Sequence, residues 1–119
     1  MITEVDHVQL AMPAGGEDAA RAFYLRALGF EEMPKPDELA ARGGVWFESN
    51  GVRVHLGVDP DFRAAKKAHP AFRCDDYVAL VERMKAAGVD VVGDSVPFEG
   101  RPHCYVSDPF GNRLELIPE

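Results

Sequence analysis

A chain of 119 residues that is 46% hydrophobic, 28% charged and carries a net charge of −7 has the composition of a folded globular protein. The acidic balance excludes the basic patches that nucleic acid and anionic membrane surfaces require, so neither is an expected partner. No apolar run nears the roughly 20 residues of a membrane span, and MITEVDHVQLAMP has neither the basic start nor the apolar core of a secretion signal, so a cytoplasmic location is expected. At this length roughly two-thirds of the unfolded-chain surface can be buried without a disulfide or a structural metal. Cys74 and Cys104 accordingly read as reduced core residues.

In chain order, Val5 to Met12 alternates as a strand, with Val8, Leu10 and Met12 on one face and His7, Gln9 and Ala11 on the other. AGGED then reads as a strand-to-helix turn. Ala20, Phe23, Tyr24, Ala27 and Leu28 fall at helical spacing, and Gly29 stands where a left-handed cap is expected. Strands are expected near Phe30 to Met33, Val45 to Ser49 and Val52 to Val58. The second half repeats the order. A strand from His69 to Cys74 leads to a helix capped by Asp75 or Asp76, with Tyr77, Leu80, Val81 and Met84 on its apolar face and Gly88 at its end. Strands follow at Val89 to Val92, Arg101 to Ser107 and Arg113 to Ile117, the last two separated by the turn Asp108-Pro109-Phe110-Gly111-Asn112.

The expected fold is therefore α+β: a single domain over 1–119 built from two tandem βαβββ modules, 1–60 and 68–119, joined by a linker at 61–67 and cupped as a pair of half-barrels. The repeat extends to individual residues, because GVRVHL (51–56) aligns with GNRLEL (111–116) and makes His55 the counterpart of Glu115. His7 and His69 match at the two opening strands, and the intervals from His7 to His55 and from His69 to Glu115 are nearly equal. Strand parity puts Arg53, His55 and Glu115 on the faces turned away from the helices.

Taken singly, each of these side chains has a plainer reading: His55 as a solvent-facing strand residue, His7 and His69 as turn residues, Glu115 as an ion-pair partner of Arg113 or Arg53. Taken together, in repeat-equivalent positions, His7, His55, His69 and Glu115 are expected to be metal ligands. A set of three nitrogens and one oxygen suits Zn, Ni, Fe or Mn, and His7, His69 and Glu115 alone would form a two-His, one-carboxylate face with open positions. An open position lets the metal act as a Lewis acid, with Glu115 available as general base. Trp46, Phe47, Tyr105 and Phe110 supply aromatic walls for a small-molecule pocket, or else pack in the core. Arg53 and Arg101 could hold a carboxylate or phosphonate of a substrate, His103 shares strand parity with Arg101 and Tyr105 and is a candidate to contact the substrate, and Arg53, Arg101 and His103 could each equally face solvent. No P-loop, nucleophile elbow, dinucleotide glycine motif or CxxC pair is present in the sequence.

Across essentially its whole length the chain resembles the vicinal oxygen chelate superfamily, through DHVQLAM, FYLRALGF, VRVHLGV and above all YVSDPFGNRLELI. That superfamily includes glyoxalase I, extradiol dioxygenases, fosfomycin-resistance enzymes and bleomycin-binding proteins. The resemblance implies a divalent metal held by His7, His69 and Glu115 in the first-, fifth- and eighth-strand positions, a homodimer, and a small substrate chelated through neighbouring oxygens. His55 occupies the fourth-strand position, where glyoxalase I usually has glutamate, which replaces an anion by a neutral ring. The expected activity is a metal-dependent lyase, isomerase, dioxygenase or transferase. The competing expectation is a metal-independent protein that sequesters a small molecule, as bleomycin-binding relatives do.

Overall fold

The computed structural model describes residues 1–119. The chain divides into two compact units, Met1–Arg63 and Ala64–Glu119, each carrying one four-stranded mixed sheet.

In the first unit, β1 (Val8–Met12) leads through α1 (Glu17–Ala20) to β2 (Glu31–Met33), β3 (Val45–Ser49) and β4 (Val52–Val58), with a one-turn α2 (Asp37–Ala40) inserted before β3. The sheet order is β1-β4-β3-β2, with β1 parallel to β4 and the other pairs antiparallel. β1 begins at Val8 rather than Val5 because its pairing starts where Val8 meets Val54; the residues before it have no partner strand. α1 is a single α-turn at Glu17–Ala20 that runs directly into a π-helical segment, Arg21–Ala27. Leu28 N–H accordingly reaches back to Phe23 O at 2.8 Å. The wider π turn reduces the angle between successive side chains, so the adjacent Phe23 and Tyr24 are both buried, alongside Met12, Phe47, Val54 and Leu56. Asn50 and Gly51, both at positive φ, join β3 to β4 as a two-residue hairpin.

The second unit repeats the plan with β5 (Ala71–Cys74), α3 (Tyr77–Ala86), β6 (Val91–Gly93), β7 (Cys104–Ser107) and β8 (Arg113–Pro118), in the order β5-β8-β7-β6. Asp76 caps α3 by accepting a hydrogen bond from Ala79 N–H, and Gly88 at φ +81° turns the chain out of it. β5 starts at Ala71 for the reason that shortened β1, and β7 starts at Cys104 because its partner β6 ends at Gly93. Asp108 accepts from the backbone N–H of Phe110 and Asn112 and from Asn112 Nδ2, which fixes the turn that launches β8. The register makes the repeat explicit. His55 lies between Gln9 and Trp46 across its neighbouring strands, and Glu115 lies between Ala71 and Tyr105.

Cys74 and Cys104 are free and buried in the second core, and burial pushes both thiols up from their ordinary range. Native protein at about pH 8 should leave both unalkylated, while urea should expose them to rapid reaction. Because the folded state keeps these protons longer than the unfolded state does, stability should fall as pH rises above about 8.5. Fast labelling of the native protein would contradict the placement.

Candidate functional site

In the second unit, strand alternation turns Glu115 to the face opposite Leu114 and Leu116, yet the residue is only 7% exposed. Two histidines enclose it. Glu115 Oε1 lies 2.9 Å from His69 Nε2, and Oε2 lies 2.8 Å from His103 Nδ1.

His69 Nδ1 stands 2.8 Å from the Lys67 carbonyl, which can only accept, so Nδ1–H donates there. A neutral His69 ring then presents the Nε2 lone pair to a carboxylate oxygen, and the contact requires a positive centre between them, a proton or a metal ion. Two donors at right angles, each about 2.1 Å from one divalent ion, stand about 3 Å apart. The observed 2.9 Å spacing fits that requirement, as does the backbone carbonyl that orients the ring from its far side. His103 has acceptors at both nitrogens: Nδ1–H donates to Glu115 and Nε2–H to the Val96 carbonyl at 2.8 Å. The Val96 carbonyl first, then the Glu115 and Asp94 carboxylates, raise its pKa above the ordinary histidine value against the opposing effect of burial. Tyr105 sets its ring against the edges of His69 and His103, with the Arg113 guanidinium 3.8 Å over its face.

In the first unit, His7 precedes β1, and its Nδ1–H donates to Asp6 at 2.9 Å, leaving Nε2 as the free donor atom. That bond also lowers the Asp6 pKa. Trp46, His55 and His7 form a three-ring stack with successive centroids 4.2 Å apart and interplanar angles of 7° and 17°. An ion bound to an imidazole nitrogen lies in the plane of that ring, so His7 and His55 as stacked offer separate donors and His55 supports His7 from behind. Burial and the neighbouring His7 hold the His55 pKa below its ordinary value, which favours a neutral ring. These rings border a cavity of about 640 Å³ that Met33, Leu39 and Arg53 also line.

The structure thus brings together two pairs of the sequence-derived ligands, each within one unit: His7 with His55, and His69 with Glu115. No three His, Cys, Asp or Glu side chains converge in metal-binding geometry. Both arginines read as substrate contacts are engaged inside their own units: Arg53 with Glu48 at 2.7 Å and Asp6 at 3.0 Å, Arg101 with the Pro118 carbonyl and Glu99. Sequence reasoning missed Asp6, although the Asp6-His7 pair is legible as a carboxylate beside an imidazole. It also missed the carbonyls of Lys67 and Val96, which no residue type signals.

Residues 4–116 match the family described as the Glyoxalase/Bleomycin resistance protein/Dioxygenase superfamily. The chain belongs to this superfamily. A glyoxalase family protein from Bacillus anthracis, known from its crystal structure, is 43% identical with a TM-score of 0.95, over 100% of this chain and 97% of that one. The fosfomycin resistance protein FosX of Listeria monocytogenes shares the fold at a TM-score of 0.79 and 19% identity, over 100% of this chain and 95% of its own. A glutamate-to-glutamine mutant of FosX has been crystallised with Mn(II) and 1S,2S-dihydroxypropylphosphonic acid, matching with a TM-score of 0.77 and 20% identity over 98% of this chain and 90% of that one. The 3-dehydroshikimate dehydratase of Pseudomonas aeruginosa is 32% identical in a 104-residue match that covers 74% of this superfamily member but only 16% of the dehydratase. The vicinal oxygen chelate resemblance and the two repeated α+β modules are borne out. No helix is long and apolar enough to cross a membrane.

Proposed function

We propose that this superfamily member is a divalent-metal enzyme acting on a small, oxygen-rich molecule, with His69 and Glu115 as metal ligands in the second unit, and that the first unit offers His7 as a ligand with His55 as the ring behind it. The observation that carries the reading is the part-buried His69–Glu115 pair, whose facing donor atoms are spaced for a shared cation while the far side of His69 is tied to a carbonyl. When bound, the metal supplies Lewis acidity toward adjacent oxygens of the substrate. Glu115 Oε1, which faces His69 rather than His103, would be the acceptor for a proton leaving the substrate once the substrate displaces it as a ligand. The Lys67 carbonyl fixes the His69 ring with Nε2 toward that oxygen, and in the first unit Asp6 fixes the His7 ring through Nδ1. Arg53 is already balanced by two carboxylates. That balance favours a substrate recognised by hydroxyl or carbonyl oxygens over one anchored by a strong negative charge.

Wild-type protein stripped of metal should take up one divalent ion per chain from Mn²⁺, Ni²⁺, Zn²⁺ or anaerobic Fe²⁺, and His69→Ala should weaken that binding at least tenfold by calorimetry. A wild type that stays empty with all four metals would defeat the proposal. The competing reading, sequestration without metal, draws on the apolar wall of Trp46, Met33 and Leu39 along the first unit's cavity. It requires small-molecule binding that survives complete chelation.

A further inference from the structure

We propose that His103 is a positioning residue that occupies one oxygen of Glu115 and thereby keeps this carboxylate a one-oxygen metal ligand. The inference rests on the metal-dependent reading above and concerns how the ligand is held. A glutamate with two free oxygens can chelate a divalent ion through both and fill two coordination positions. Here the oxygens have different partners: Oε2 accepts from His103 Nδ1–H at 2.8 Å, while Oε1 faces His69 Nε2 at 2.9 Å.

His103 is itself fixed. It is 7% exposed, its Nε2–H donates to the Val96 carbonyl at 2.8 Å, and its own carbonyl accepts from Asp94 N–H at 3.2 Å. Rotating Glu115 to offer both oxygens would strand a buried imidazole N–H, which is unfavourable. The first module lacks any such device. Trp46 and Tyr105 are register equivalents, opposite His55 and Glu115, so His103 two residues before Tyr105 corresponds to Gly44 two residues before Trp46. An imidazole at the fourth-strand position has no second donor to control, and the position that would control it carries no side chain. The restraint is found only in the module that carries the carboxylate, and its effect is to leave one more metal position to exchangeable water or to a substrate oxygen.

Two half-replacements separate this role from simple anchoring of the 94–101 segment. His103→Asn keeps an N–H donor where Nδ1 sits, toward Glu115; His103→Gln keeps one where Nε2 sits, toward Val96. Metal-free wild type and both variants would be titrated with Mn²⁺, reading affinity by calorimetry and metal-bound exchangeable water by proton relaxation. The expected result is wild-type behaviour in His103→Asn. His103→Gln should bind about 10- to 100-fold more weakly, because Glu115 loses the partner that orients it, and lose roughly one exchangeable water, because its second oxygen is free to coordinate. The reverse order, equal loss in both variants, or loss in neither would overturn the role of His103. Wild type that takes up no metal would overturn the metal reading along with it.

Discussion

Glu115→Gln should abolish turnover and weaken divalent-metal binding by a hundredfold or more, about 3 kcal/mol, with little change in thermal stability. Glutamine has the shape of the glutamate it replaces, and the surroundings can accommodate it. Its amide oxygen can accept from His103 Nδ1–H while its NH₂ donates to His69 Nε2, the atom now 2.9 Å from the carboxylate. Both contacts persist, so the 7%-exposed side chain is not left unsatisfied. The proposed ligand set, however, would lose its only anion, and the His69 lone pair would be committed to an N–H donor that an incoming ion must displace. Glu115→Gln and His69→Ala should therefore agree on metal loss but differ on stability, with the alanine variant less stable because Glu115 loses a partner. Metal content of the purified proteins, calorimetric titration with Mn²⁺ and melting of the metal-free forms provide the comparison. Undiminished metal affinity in Glu115→Gln would remove Glu115 from the ligand set.

The legible part of this molecule was whatever recurs in both modules. Alternation and glycine punctuation mark the strands around His55 and Glu115, and the GVRVHL/GNRLEL correspondence agrees with the observed register, in which each residue sits between the parallel outer strand and an aromatic on β3 or β7. Features that depend on a single pairing were harder to read. The apolar spacing of Ala20, Phe23, Tyr24 and Ala27 is compatible with an α or a π turn, and the backbone bonding of the folded segment, including the Leu28-to-Phe23 bond, distinguishes them. Arg53 lies on the cavity-facing side as parity implies. That it faces Glu48 across the β3–β4 pair, and so already has a partner, follows from a register the isolated sequence does not display. His103 shares its parity with Arg101 and Tyr105 but reaches back to Glu115 on the adjacent strand, a contact made by tertiary closure. Asn50-Gly51, by contrast, is a strong local hairpin signal, with both residues at positive φ.

Gly44→Ala should be the most damaging single-atom-scale change in the first unit, destabilising it by roughly 3–5 kcal/mol. Gly44 adopts φ +88° immediately before β3, and a Cβ built there falls against the Leu56 carbonyl oxygen on the neighbouring strand, far inside van der Waals contact. That oxygen is backbone in the β3–β4 ladder where Val45 opposes Leu56, so it cannot swing aside as a side-chain tip could. Relief requires the strands to separate beside Trp46 and His55, whose stacking depends on the same ladder. Gly51 provides the control: it has nearly the same φ, +83°, and a Cβ added there would meet no atom within 4 Å. Gly51→Ala therefore incurs only the left-handed backbone penalty, about 1–2 kcal/mol. Urea unfolding of both variants should place Gly44→Ala well below Gly51→Ala, and the excess measures the steric conflict across the ladder. Equal losses would mean that β3 can shift at Gly44 without cost, contrary to the close approach on which the Trp46–His55–His7 stack is built.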